Sequence, residues 1–373
     1  MTDIKQKLID FLLENGNPSI VMRIKKEVFN SLSTADEAYC LRRIIPEKNV
    51  QSVLNSQKAD GWFGNSFHGQ SPKSGAGMYD NMEVGLRYLS EKGFSLSNQC
   101  AADTANDSGY IARSVNSFLT KKPFDSAYGV MTPVPPDTDY SYTASGLYLA
   151  RSSVIIRAGY EFRLPQNDFI DLKHDIDFSF QTFLNVLNFT TQDEVIDTHR
   201  KKACFKPDVM WPCLYHLRIL AHSRGWRSAS NIVLLADSVR HLLSFPQTDE
   251  MIYTYKKGQF VGPCFALINA QRKILEIDDE DRVSFDILEL FARCGIVDKV
   301  EILQKKCDYL LASIDDDLNF SGDIDKRSFS WSPYFGFALE ENWRSKTSVK
   351  CDILFRTLMI IHYTETAHKS KNC

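Results

Sequence analysis

The sequence predicts an all-α fold. Apolar residues recur at three- and four-residue spacing along most of the chain, and the first helices follow one another with no strand alternation between them. Gly and Pro fall where those periodic runs stop and start. A weak internal period adds a third observation: Gly262-Pro263-Cys264-Phe265 resembles Trp211-Pro212-Cys213-Leu214 about 50 residues earlier, as an array of helix pairs would.

In chain order, Asp3 to Glu14 puts Ile4, Leu8, Phe11 and Leu12 on one side, and Gly16 stops it. Pro18 opens the next helix, which carries Val21, Ile24 and Val28. A third begins at Thr34, breaks at Pro46 and resumes from Val50 to Gln57. After a Gly- and Ser-containing loop, a helix is expected from about Met78 to Lys92. There the Gly85-to-Leu89 spacing should let another helix approach closely. Ala101 to Leu119 reads as helix. A Pro-rich loop from Lys121 to Pro136 delivers the chain into a long helix ending near Arg157, and loops of that length are often functional. His174 to Phe189 is apolar and aromatic, and Gln192 to Lys206 reads as a charged segment. Helices are expected over Ser228–Leu243, Ser284–Cys294, Lys299–Ile314 and Lys346–Tyr363, with a polar tail from about residue 369. No linker divides the chain, so residues 1–373 read as a single domain.

Composition narrows the function classes. A net charge of −3, from 44 basic and 47 acidic residues scattered along the chain, gives no field for nucleic acid or a membrane surface. Nine cysteines at wide spacing, none in a C-x-x-C pair, fit a reduced, cytoplasmic protein better than a disulfide framework. No run approaches the roughly 18 apolar residues of a spanning helix, and the N-terminus lacks a signal-peptide core. Twenty-four Phe and 15 Tyr suit either a large helical core or an aromatic cavity.

The most informative stretch is Val53-Leu54-Asn55-Ser56-Gln57-Lys58-Ala59-Asp60-Gly61-Trp62-Phe63-Gly64. A helical tail ends in Gln57. Asp60-Gly61 is a turn dipeptide, because Gly accepts positive φ. Trp62 then folds back over the helix end, and Gln57 bonds backbone groups the helix leaves unpaired. The stretch resembles the Gln-Trp repeat motif of squalene–hopene cyclases, related terpenoid cyclases and protein prenyltransferases. The resemblance implies an α/α toroid in which the motif joins an outer helix to an inner one, with Gln57, Gly61 and Trp62 as scaffold. A ring of twelve or so helices at about 25–30 residues per helix and loop needs roughly this length. Leu318-Asn319-Phe320-Ser321-Gly322 loosely echoes the same turn.

Pro136-Asp137-Thr138-Asp139-Tyr140-Ser141-Tyr142-Thr143-Ala144 resembles the acidic D-x-D-D-T-A motif of class II terpenoid cyclases. That resemblance implies Asp139 as a protonated donor to an alkene or epoxide, with Asp137 in support. Such an acid must be shielded from water to keep its proton. Tyr140 stands where the motif has its third Asp, so a charge that tunes the acid is missing. The other reading of Asp137 and Asp139 is helix capping. The aromatic lining expected around a hydrophobic isoprenoid is Tyr79, Tyr142, Trp211, Phe265 and Trp331, with His68 as a base or anion ligand. The known two-domain cyclases are longer, which leaves a missing domain to a partner chain or to a simplified reaction.

No metal set is complete. Asp278-Asp279-Glu280-Asp281 and Asp315-Asp316-Asp317 lack the spacing of a class I diphosphate motif, although a diphosphate substrate would call for Mg2+. Cys307-Asp308, Cys351-Asp352 and His362, or His199 with Cys204 and Asp208, lack a recognised zinc spacing. His216 and His222 read as core or surface residues. Two other functions stay open: an intracellular α/α-barrel glycoside hydrolase or lyase using paired carboxylates, and a non-catalytic helical scaffold.

Overall fold

The computed structural model describes residues 2–64, 67, 81–95, 109–120, 142–162, 170–207, 209–245, 252–256, 258–261, 266–267, 282–283, 285–324, 329–331 and 336–369. They are mostly helical, with a small sheet. Chain contacts gather into two compact units. The first comprises Met1–Pro133, Arg157–Ile170 and Leu310–His362, and the second comprises Val134–Ile156, Asp171–Tyr309 and Tyr363–Cys373.

The chain starts with α1 (Thr2–Asn15), α2 (Pro18–Arg23), α3 (Thr34–Ile44), α4 (Lys48–Ser56), α5 (Met82–Glu91) and α6 (Tyr110–Thr120). Local chemistry sets these ends. Asn17 caps α2 by accepting the Ser19 N–H, with Pro18 at the first helical position. Ser33 caps α3 through the Asp36 N–H, and Asn81 caps α5 through the Val84 N–H. The α5 helix therefore starts four residues later than periodicity suggested. The close approach expected at Gly85 is real, but a ring fills it rather than a helix. A Cβ there would lie 3.0 Å from the Phe63 side chain.

Then come α7 (Tyr142–Arg157), α8 (Leu172–Asn185), the single turn α9 (Gln192–Val195), α10 (Leu214–His222), α11 (Ala229–Ser244), α12 (Phe285–Cys294), α13 (Glu301–Ala312) and α14 (Lys346–Lys369). In the second unit α10 packs on α8 and on α12, while α11 packs on α8.

The Gln192–Lys206 segment is not simply a charged run. It forms β1 (Ile196–His199) and β2 (Lys202–Phe205), an antiparallel pair whose turn places Arg200 and Lys201 at φ 48° and 65°. β2 pairs in parallel with β3 (Tyr253–Lys256), which pairs antiparallel with β4 (Gln259–Val261). The first of the two Pro-Cys segments that suggested a repeat pairs with residues just after the second: Cys213 bridges Ala266, and the Leu267 N–H donates to the Pro212 carbonyl at 2.9 Å.

From α4 onward, burial alternates from one helix to the next. The helices α4, α6, α8, α11 and α13 each bury one face and expose the other. Between them lie helices buried nearly all round. Every residue of α5 is buried, as are all of α12 but Asp286, all of α10 but Arg218 and His222, α7 from Leu149 to Ile156, and α14 from Cys351 to His362. Among the helices named above, from α4 onward, α9 is the one that departs from the alternation.

Candidate functional site

Gln57 closes the turn after α4 with both ends of its amide. Its Nε2 donates to the Tyr110 carbonyl at 2.8 Å, to Ser114 Oγ at 2.9 Å and to the Gly61 carbonyl at 3.2 Å. Its Oε1 accepts from Arg113 Nη2 at 2.8 Å and Nε at 3.1 Å. The first turn of α6 is thus clamped to the end of α4. Gly61 lies at φ 88°, and a Cβ there would sit 2.2 Å from the Arg113 carbonyl oxygen. Only glycine satisfies both conditions. Trp62 is buried, with its ring centroid 5.6 Å from that of Phe118 and 6.5 Å from that of Phe67. The three motif residues therefore hold helices together.

The backbone of this turn recurs after α13. In the first copy Gln57 bridges Phe63, and Lys58 N–H donates to Trp62 O at 2.8 Å, Gly61 N–H to Lys58 O at 2.9 Å and Gly64 N–H to Ser56 O at 3.1 Å. In the second Ile314 bridges Phe320, and Asp315 N–H donates to Asn319 O at 3.0 Å, Leu318 N–H to Asp315 O at 2.9 Å and Ser321 N–H to Ser313 O at 2.8 Å. Leu318, at φ 61°, occupies the place of Gly61.

Of the other residues singled out from sequence, Asp137, Asp139, Tyr140, His68, Tyr79 and Phe265 lie outside the described residues, as do Asp208 and the acidic run 278–281. Tyr142 opens α7, and its side chain also lies outside them. The two described tryptophans of the expected lining are packed among protein groups. Trp331 meets Tyr88 edge-on at 4.9 Å, lies under the Arg87 guanidinium at 5.3 Å and donates its indole N–H to the Ala338 carbonyl at 3.0 Å. Trp211 is fully buried among Phe245, Phe189 and Phe205, at centroid distances of 5.4, 6.2 and 6.4 Å.

The first unit contains a buried charge network that periodicity does not reveal. Glu91, at the end of α5, accepts from Arg23 at 2.6 Å, Arg157 at 2.9 Å and Arg356 at 3.2 Å. Burial alone would raise this carboxyl, but the guanidinium groups of Arg157, Arg23 and Arg356 outweigh it and hold it well below the usual carboxylate range. Beside it in sequence, the fully buried Lys92 pairs with Glu47 at 2.5 Å and donates to the Leu339 carbonyl. Removing one partner from such a buried set costs about 3–5 kcal/mol, because it strands a charge.

The same unit holds two carboxyls that burial raises, Asp352 and Glu340. Asp352 is fully buried and accepts from the Leu339 N–H at 2.6 Å and the Trp343 indole at 2.7 Å. Neighbouring Glu340 accepts the Asn17 N–H at 2.8 Å, and burial pushes its carboxyl up to about 7. A carboxyl poised there can give or take a proton near neutral pH.

In the second unit Cys213 caps α10 and His216 answers it. The His216 N–H reaches the Cys213 thiol, while the Cys213 N–H donates to His216 Nδ1 at 2.9 Å. Burial pushes the Cys213 thiol up to about 11, so it is not an activated nucleophile. Burial likewise holds the Cys307 and Cys351 thiols near 12. The His199 and Tyr255 rings lie tilted against each other, with centroids 3.7 Å apart. Among the described residues no group of three or more His, Cys, Asp or Glu side chains is placed to hold a metal ion, and no helix is long and apolar enough to cross a membrane.

The networks around Glu91 and His216 join residues far apart in sequence or hidden in apolar runs. Their one sequence signal is charge or imidazole inside helices with no polar face. No family model, curated protein or solved structure matches this chain.

Proposed function

We propose that the chain is an α/α toroid of the terpenoid-cyclase and prenyltransferase kind, and that its ligand is a hydrophobic isoprenoid. One observation carries the reading: the turn that bears the Gln57–Trp62 motif recurs after α13, and each copy leaves a half-buried helix and leads to a buried one. That is the relation between outer and inner helices the motif has in the family it resembles. The alternation of half-buried and buried helices from α4 to α14 supports the same arrangement. Within it the proposed chemistry is acid-initiated cyclisation or isomerisation, with Asp139 as donor and Asp137 in support. Mg2+ would enter only with a diphosphate substrate.

The test is a thermal-shift and turnover screen of linear isoprenoid hydrocarbons, alcohols and diphosphates, with and without Mg2+, on the wild type and Asp139→Asn. Turnover that Asp139→Asn abolishes while keeping the wild-type melting temperature supports the acid mechanism. Binding without turnover retains the ligand and removes the chemistry. Absence of any shift overturns the reading.

A second reading, a helical scaffold with no ligand, is favoured by a different observation. Glu91, Lys92 and Asp352, all on or next to buried helices, are paired with protein groups. The same screen separates the two.

A further inference from the structure

His216 holds one polar atom that the described residues leave unpaired. The imidazole lies in the first turn of α10, and the residue is only 3% exposed. Its Nδ1 accepts the Cys213 N–H at 2.9 Å. A backbone N–H can only donate, so Nδ1 carries a lone pair and the ring proton of the neutral form sits on Nε2. Burial holds the imidazole's pKa down at about 3, so the ring is neutral at any ordinary pH. Nε2 is buried and has no hydrogen-bond partner among the described residues. Buried donors are almost always paired, and one left alone costs about 1–3 kcal/mol.

The surroundings are apolar. The Phe178 ring lies 5.7 Å from the imidazole, and Leu214, Tyr215 and Leu217 of the same helix are buried. Arg218, two residues on, is held over the Tyr215 ring at 5.7 Å and has only donors to offer. A second unpaired buried atom, Thr254 Oγ1, sits on β3. Thr254 pairs across the sheet with Phe205, whose ring stacks on Trp211 at the approach to α10.

We propose that His216 Nε2–H is the polar anchor of a buried ligand site in the second unit, and that its ligand is an uncharged oxygenated isoprenoid: an alcohol, aldehyde or epoxide. The proposal rests on the isoprenoid reading above and narrows it. A neutral oxygen accepts one N–H at little desolvation cost. A hydrocarbon leaves the N–H unmet. A diphosphate brings charges that a single neutral donor in a dry site does not offset.

The experiment compares farnesol, farnesene and farnesyl diphosphate by calorimetric titration into the full chain, as wild type and as His216→Asn. Asn keeps an oxygen where Nδ1 accepts the Cys213 N–H but has no donor at the distal position. Farnesol should bind wild type tightest, and His216→Asn should weaken it about tenfold, the factor that corresponds to one lost hydrogen bond, while leaving farnesene unchanged. On wild type alone, the His216 Nε2 nitrogen resonance should move when farnesol saturates the protein, which decides the matter even if the variant does not fold. Equal binding of farnesol and farnesene, or a resonance that farnesol does not move, means that the N–H meets only an internal water, and overturns the inference while sparing the isoprenoid reading. No binding of any of the three overturns both.

Discussion

The turns after α4 and α13 share a backbone and almost nothing else. Each uses the same bridge, the same three N–H-to-carbonyl bonds and a residue at positive φ in the matching place, Gly61 or Leu318, and the first turn adds Gly64 at φ 62°. In the first, the matching residue is a glycine pressed against the α6 backbone, and a glutamine amide ties down the helix arriving beside it. In the second it is Leu318, whose side chain is buried, and the turn is held by the Asp315 carboxylate within it and by Lys350 of α14. Asp315 accepts the Asn319 N–H at 2.7 Å and its side-chain amide at 3.1 Å, and Lys350 donates to the Asp317 carbonyl at 2.5 Å. The difference separates two jobs. The backbone path ends one helix and redirects the chain. The Gln-Trp signature records a neighbouring helix tied to the turn through a glutamine amide, which the second turn lacks, so counting signatures undercounts turns.

The largest effect expected from that separation is at the positive-φ position. Gly61→Ala drives a Cβ into the Arg113 carbonyl and places an L-residue at φ 88°. It should cost about 3–5 kcal/mol, as backbone strain plus overpacking against groups that cannot move aside. The converse change, Leu318→Gly, relieves strain but empties a buried site, for a net loss of about 1–3 kcal/mol. Urea unfolding of both variants reads this directly. Equal losses would mean that the α6 backbone does not press on Gly61, and the two turns would differ less than described.

A smaller effect separates the side chains before the turn. Gln57→Leu leaves the Tyr110 carbonyl, Ser114 Oγ and the Arg113 guanidinium without the bonds Gln57 makes, and should cost about 2 kcal/mol. Ile314→Gln, at the matching and likewise half-exposed position, where no side-chain amide ties down a neighbouring helix, should stay within about 1 kcal/mol of wild type. Hydrogen exchange should also show faster opening at the start of α6 in Gln57→Leu and no change around α14 in Ile314→Gln. The reverse pattern would place the docking function in the turn backbone rather than in the amide.

Much of this was legible in the sequence where a local rule governs. Pro46 separates α3 from α4, Ser228 caps α11, and Asp60-Gly61 marks its turn as a glycine dipeptide should. The second turn showed only as an echo, because Leu318 reaches positive φ without a glycine to announce it. The β1–β2 hairpin was hidden for the same reason: Arg200 and Lys201 carry no turn signature. The Glu91 cluster joins residues 66, 68 and 265 positions apart, and no periodicity links them. His216 reads as an ordinary histidine until its two nitrogens are seen to have different fates.

The smallest expected effect contrasts what lies beyond each turn. The first turn leads to α5, where the arginines hold Glu91 ionised; the second leads to Glu340, where burial favours the protonated acid. A carboxyl whose folded pKa lies above its unfolded value stabilises the fold fully below the unfolded value and loses that contribution as pH rises through the folded one. For Glu340 the window runs from 4.5 to about 7, so stability should fall across it. Because the side chain is only half-buried, the change should be about 1 kcal/mol rather than the full linkage value. Glu340→Gln should flatten that slope, whereas Glu91 predicts the opposite behaviour: its contribution is present above 4.5 and is lost only as pH falls through its own depressed value. Urea midpoints of wild type and Glu340→Gln at pH 4.5, 6 and 7.5 measure it. Parallel pH curves for the two proteins would show that Glu340 titrates like a solvated carboxyl, and that the stretch beyond the second turn is no more proton-sensitive than the one beyond the first.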